Sequence, residues 1–289
     1  MAFRRETTGG GAGPADDLPQ LSPAQIADGV DASLKRLQIE SIDLIQLHWP
    51  ERYTPTFGKS IYSYAKARKN EHDVRGVMEM TPFEEQLRGV AAVLKAGKVK
   101  HWGVSNETTF GVCKLCELAK QLGMPPPVSI QNDFSLLDRR FETELSEACA
   151  PWNHNLGLMV YGGLSGGYLS GKYLAENTAS QKYGSLEGTR HSKFPDFQSR
   201  YHKAGIEAAT RQYANIAEAA KLTPTQLALA FCKSRPYVCT TIIGATTMKQ
   251  LKECIEAFDI DLSADVLEAI DDVHHTCRNP QVTDPLGIL

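Results

Sequence analysis

The sequence predicts an α/β protein built on parallel strands, and three observations carry the prediction. Short apolar runs alternate with segments of helical period, each run ends in polar or glycine residues, and no GxGxxG follows the first run. Strands alternating with helices imply right-handed βαβ units and a parallel sheet. An open doubly wound sheet would carry the glycine fingerprint at its first strand, whereas polar residues at every carboxyl end fit a barrel. The runs lie at 42–50, 99–104, 128–131, 156–161 and 238–243, five in all, where a (β/α)8 TIM barrel needs eight.

Residues 1–20, with the glycines around Gly9–Gly13, show no apolar period and read as a flexible lead-in. No strand precedes those glycines and no Gly-Lys-Ser/Thr follows, so they are not a phosphate loop. Residues 21–289 then read as a single domain. Ser22 and Pro23 form an N-cap and first turn for a helix to Leu37 with Ile26, Val30 and Leu34 on one face. The first strand follows and presents His48 where it ends, stopped by Pro50. A histidine there is read either as structural or as part of a site.

The polar stretch from Pro50 to about Met80 holds Tyr53, Phe57, Tyr62 and Tyr64 and is too long for an ordinary connection. It either lines a binding site or packs outside as an insertion. Helices are predicted after Thr81-Pro82 as far as Gly97, over 109–122, near 141–150, near 202–221, from Thr223-Pro224, over 248–258 and from Ser263 to about His275.

A formal net charge of -3, with no long basic run, gives no electrostatic footprint for nucleic acid or an anionic membrane. No apolar run approaches the ~20 residues of a membrane span, and the first 20 residues lack a secretory h-region. Seven cysteines, an odd number spread through predicted helices and strands, suit reduced thiols in the cytoplasm. Cys113 and Cys116 have no second pair at metal-ligand spacing, so no metal is expected.

One ordered set of residues comprises Ser33-Leu34-Lys35-Arg36-Leu37, Asp43-Leu44 with His48-Trp49-Pro50, Gly97-Lys98-Val99 with Gly103-Val104-Ser105-Asn106, Gln131-Asn132, Ser170-Gly171-Lys172-Tyr173, and Gly244-Ala245-Thr246 with Gln250. Taken in order it resembles the aldo-keto reductases, within them the Tas-like and potassium-channel β-subunit-like branches. The set runs from about Leu21 to about Asp271. The resemblance implies a (β/α)8 barrel that binds NADP(H) and transfers hydride between it and the carbonyl of a small aldehyde or ketone.

By that resemblance His48 aims at the carbonyl oxygen, where charge develops. Ser105, Asn106 and Gln131 hold the nicotinamide carboxamide, and Tyr161 stacks on its ring. Gly162, Leu164, Ser165 and Lys172 belong to the pyrophosphate segment, although the family usually has Ser-Pro-Leu where this chain has Gly162-Gly163-Leu164. Gly244, Thr246, Gln250 and Glu253 match adenosine-side positions, and Cys254 stands where the family prefers asparagine.

The family's tyrosine proton donor, its lysine and its aspartate sit on or just after strands that precede the His48 strand, and this chain shows no such strands. The expectation is an incomplete, amino-terminally truncated barrel of about five β/α units with the first strands missing. It is an enzyme by family, with the Asp/Tyr/Lys part of its tetrad lacking. The alternative is a non-catalytic cofactor-binding or regulatory subunit. The sequence names neither the carbonyl substrate nor the oligomeric state.

Overall fold

A computed structural model of the chain describes residues 20–55, 58–72, 76–174, 199–201 and 203–282. Residues 1–19 of the predicted lead-in, Phe57, and most of the polar segment 174–200 lie outside the described residues. Contacts divide the chain into two units, one of Met1–Thr56, Ile61–Asn132 and Glu144–Leu158, the other of Phe57–Ser60, Asp133–Thr143 and Met159–Leu289.

The first unit opens with α1 (Pro23–Leu37), where the Ser22 hydroxyl accepts from Gln25 N–H and Pro23 occupies the first turn. Ile26 and Val30 are buried, and β1 (Ile42–Leu47) follows. The stretch after β1 is organised more than its polarity predicts. It forms α2 (Tyr64–Lys69) and an antiparallel pair, β2 (Glu71–His72) with β3 (Gly76–Val77). Asn70, left-handed at φ 48°, ties it down: its Oδ1 accepts from Tyr53 N–H at 2.5 Å and its Nδ2 donates to Glu51 O and Met78 O, both at 2.9 Å. The buried Glu51 carboxylate takes the N–H groups of Leu21 and Thr81. Tyr53 is buried beside Tyr62, while Tyr62 and Tyr64 are exposed.

Helix α3 (Phe83–Lys95) packs on α1 through Gly89, where a β carbon would stand 2.8 Å from Pro23 Cα. It leads to β4 (Val99–Ser105), α4 (Thr109–Gln121), β5 (Ser129–Asp133), α5 (Glu144–Cys149) and the first residues of β6 (Gly157–Tyr161). β1 pairs with β4 and β4 with β5, all parallel, with Gln46 opposite Gly103 and Ser105 opposite Gln131. Ile45, Val104 and Ile130 are fully buried on these strands. The helix predicted near 141–150 is divided, because Thr143 at φ -98° and ψ -126° separates a 3-10 turn over Arg140–Glu142 from α5.

Arg52 clamps the loops after β1 and β4. Its guanidinium donates to Glu107 Oε1 at 2.9 Å, Glu107 Oε2 at 2.6 Å and Thr108 Oγ1 at 2.9 Å, the two-pronged geometry that makes arginine–carboxylate pairs strong. Gly111, in the first turn of α4, leaves room for it: a β carbon there would stand 1.9 Å from Glu107 Oε2.

In the second unit the end of β6 lies beside β7 (Val238–Thr241), with Ile242 N–H donating to Val160 O at 2.8 Å. Around them are α6 (Ala204–Ala219), α7 (Pro224–Lys233), α8 (Met248–Glu256) and α9 (Ala264–Thr276). α7 opens with a complete capping box between Thr223 and Gln226. It buries Leu227, Leu229 and Phe231, with Phe231 stacked on Phe134 at 5.8 Å.

Two predictions follow from this packing. Gly111→Ala must displace the buried Glu107–Arg52 pair and is expected to cost roughly 2 kcal/mol, read by urea unfolding at neutral pH. His274 has a buried Nδ1 with no hydrogen bond, and burial together with the Arg139 charge lowers its pKa to about 4. The unfolded ring takes its proton near 6.5. Between those values the unfolded chain binds more protons, so stability is lost as pH falls from about 6.5 to about 4. Thermal melts across that window should show a steeper fall for the natural chain than for His274→Gln.

Candidate functional site

The carboxyl ends of β1, β4 and β5 bring four of the predicted residues together. Asn106, just past β4, has φ 57°, a left-handed conformation asparagine adopts at lower cost than most residues. Its N–H donates to Gln131 O at 3.0 Å, and its Nδ2 donates to His48 O at 2.9 Å and Ser105 Oγ at 3.1 Å. Ser105 Oγ in turn donates to Gln131 O at 2.8 Å. The buried Ser105 hydroxyl is thus a brace between strand ends.

His48 is half-buried, its ring tilted against Trp49 with centroids 5.6 Å apart. The Gln131 side chain is also half-buried and donates through Nε2 to Gln46 Oε1 at 2.6 Å. Asn132, the next residue, donates through Nδ2 to Glu107 O at 2.9 Å and adds another tie between β5 and the loop after β4.

The other predicted residues belong to the second unit. Tyr161 ends β6, and burial beside Asp133 pushes its hydroxyl well above the usual tyrosine range. Gly162 follows at φ 75°, where a β carbon would stand 2.4 Å from Asp133 Oδ1. Leu164 packs against buried Leu229, Cys254 and Ala257. Ser165 opens a 3-10 turn (Ser165–Ser170) with φ 46°, and its fully buried hydroxyl meets Ser135 Oγ at 2.8 Å. Gly166 and Gly167 have φ 65° and 98°. Lys172 is exposed, with Nζ 4.9 Å from the Tyr173 ring centre.

Gly244 and Thr246 are exposed ahead of α8. Both Thr246 N–H and Thr246 Oγ1 donate to Gln250 Oε1 at 2.9 Å, and Thr223 Oγ1 donates to Glu253 Oε1 at 2.7 Å. Cys254, at the family's asparagine position, is buried in the core. The seven cysteines are free thiols. Among the described residues there is no cluster of three metal-ligating side chains, and no helix is long and apolar enough to cross a membrane.

Sequence reasoning missed a buried polar group beside the glycine turn. Asp133 pairs with Arg200 at 3.0 Å, and Gln281 Nε2 donates to Asp133 Oδ2 at 3.3 Å and Asp138 Oδ2 at 2.9 Å. Burial raises the Asp133 pKa to about 7 against the opposing pull of Arg200. No sequence period marks this group, because its members come from distant segments. Gln46 was also missed, although a glutamine inside an apolar strand is a visible irregularity.

Comparison with known proteins places the chain in a family. Residues 12–275 match the Aldo/keto reductase family. The "Aldo-keto reductase" of Babesia bovis is 36% identical over 267 residues, covering 90% of each chain. "Protein tas" of Escherichia coli is 38% identical over 260 residues, covering 90% of this chain and 69% of that protein. The "Putative voltage-gated potassium channel subunit beta" of Schizosaccharomyces pombe is 30% identical over 256 residues, covering 88% and 65%. With a family match over most of its length, the chain belongs to the aldo/keto reductase family.

Proposed function

We propose that this chain binds NADP(H) and acts as an oxidoreductase that transfers hydride between it and a small aldehyde or ketone. The observation that carries the reading is the joining of His48, Ser105, Asn106 and Gln131 at adjacent strand ends. On this reading the five β/α units are those of the family's (β/α)8 barrel, and the protein works in the cytoplasm.

The residues suit the dinucleotide. Gln131 Oε1 has no hydrogen bond among the described residues and offers an acceptor to an amide N–H. The glycine turn after Tyr161, with Gly162, Gly166 and Gly167 all left-handed, leaves its backbone uncluttered by β carbons, and the exposed Lys172 supplies a cation for pyrophosphate. Gly244, Thr246, Gln250 and Glu253 take the adenosine side, where the Thr246 donors must leave Gln250 Oε1 to meet a ligand. Leu164 and Ser165 act from beneath, anchoring the turn in the core.

The reduced nicotinamide supplies hydride when bound. His48 then donates a hydrogen bond to the substrate oxygen, opposing the negative charge that develops there. Asn106 holds the His48 main chain, so the imidazole starts from a fixed backbone. The proton must come from a general acid, and the family's tyrosine, lysine and aspartate have no counterpart assigned in this chain.

A second reading is a cofactor-binding regulatory subunit without turnover. The fission-yeast relative named as a channel subunit lends it some support.

Titrating the purified chain with NADPH, followed by nucleotide fluorescence, tests binding, and adding a small aldehyde tests turnover. NADPH oxidation dependent on the aldehyde supports the enzyme. Binding without oxidation supports the regulatory reading, and absence of binding overturns both. If the chain turns over, His48→Ala should leave the NADPH dissociation constant within about three-fold while lowering kcat by about 100-fold.

A further inference from the structure

We propose that Gln46 is a positioning residue that fixes which end of the Gln131 carboxamide faces outward, and so makes the end of β5 an acceptor for the amide N–H of a bound nicotinamide. The inference rests on the NADP(H) reading above and goes beyond it by assigning the polarity of one contact.

Gln46 sits between Ile45 and Leu47 in β1 and is 4% exposed. A buried amide in a strand must satisfy both its donors and its acceptor from inside the protein. Its neighbour across β4 is Gly103, and the pairing of Val104 with Ile130 brings Ser129 next in line on β5. Strands lie about 4.8 Å apart, so β1 and β5 are separated by roughly 10 Å. A side chain on the middle strand would block that path. A β carbon at Gly103 would stand 2.3 Å from Ser129 Oγ and 2.7 Å from Ser129 O. The missing side chain lets Gln46 reach over β4 to residues of β5.

The polarity of the resulting chain is forced from one end. Val104 O can only accept, so the Gln46 Nε2 faces it at 3.5 Å and also reaches Ser129 Oγ at 3.3 Å. Gln46 Oε1 is therefore turned toward Gln131. An oxygen there can only accept, so Gln131 must present Nε2, and the two atoms are 2.6 Å apart. A flipped Gln131 would set two carbonyl oxygens at hydrogen-bonding distance with no proton between them.

Its own Oε1 is consequently directed away from Gln46, and no hydrogen bond reaches it among the described residues. A nicotinamide carboxamide carries an N–H donor that such an acceptor recognises. The 3-acetylpyridine analogue, with a methyl group in its place, lacks that donor.

Calorimetric titration of the full chain with NADP+, its 3-acetylpyridine analogue and 2′,5′-ADP tests the proposal. The natural chain is expected to bind NADP+ about ten-fold more tightly than the analogue. Gln46→Met should bring that ratio close to one without changing the affinity for 2′,5′-ADP, which has no nicotinamide. Gln46→Glu, whose carboxyl in this buried position is protonated and can turn its O–H to Val104 O while its other oxygen accepts from Gln131 Nε2, should retain the ratio.

Equal affinities of the natural chain for the two nicotinamides, with 2′,5′-ADP bound, would overturn the inference and leave the NADP(H) reading standing, whether or not the variants fold. A ratio that survives Gln46→Met would overturn it as well. Failure of all three ligands to bind the natural chain would remove both.

Discussion

The strand ends that carry His48, Ser105 and Gln131 depend on one left-handed asparagine. Among the hydrogen bonds of Asn106, three join the ends of β1, β4 and β5, one from its main chain and two from its side chain. An alanine in its place would keep the main-chain donor, lose both side-chain bonds and have to adopt a conformation that its β carbon disfavours. Parallel strands reach their carboxyl ends with no hairpin to hold them in step, so the loops themselves must supply the ties. Arg52 with Glu107 and Asn132 with Glu107 O add two more outside the first. His48 therefore stands on a backbone held by its neighbours as well as by its own strand.

Much of this was legible in the sequence, and the reasons differ by element. The strand at 42–47 is visible from Ile42, Leu44, Ile45 and Leu47, and α1 from Ser22-Pro23 and the spacing of Ile26 and Val30, because both signals are local. The ordered motifs that resemble the aldo-keto reductases name His48, Ser105, Asn106 and Gln131, and the structure joins these residues. The ties between them were not legible. That Ser105 donates to a main-chain carbonyl, or that Gln46 crosses Gly103, depends on strand register. The fold over 64–72 and 76–77 was also hidden, since its organiser is the single side chain of Asn70.

The second unit fixes the surroundings of its glycine turn by a different physical means. Here charge is buried: Asp133, Asp138 and Arg200 lie almost fully out of water, with Gln281 donating between the two carboxylates. Such groups contribute little net stability and strongly penalise the loss of one partner. They also narrow what the chain can do around them. Ser165 turns its hydroxyl inward to Ser135, and Leu164 is drawn onto Leu229 and Cys254. The turn is thus anchored in the core through Leu164 and Ser165.

The contact between Gly162 and Asp133 bears on which mutations the chain can accumulate. The carboxylate oxygen of Asp133 fills the space that a β carbon at 162 would occupy, at 2.4 Å. A serine at 162 would need that side chain to move and would also have to hold φ 75°, a conformation that favours glycine. The two positions are thus coupled: the side chain tolerated at one depends on what stands at the other, and a change at 133 also alters the charge beside Arg200.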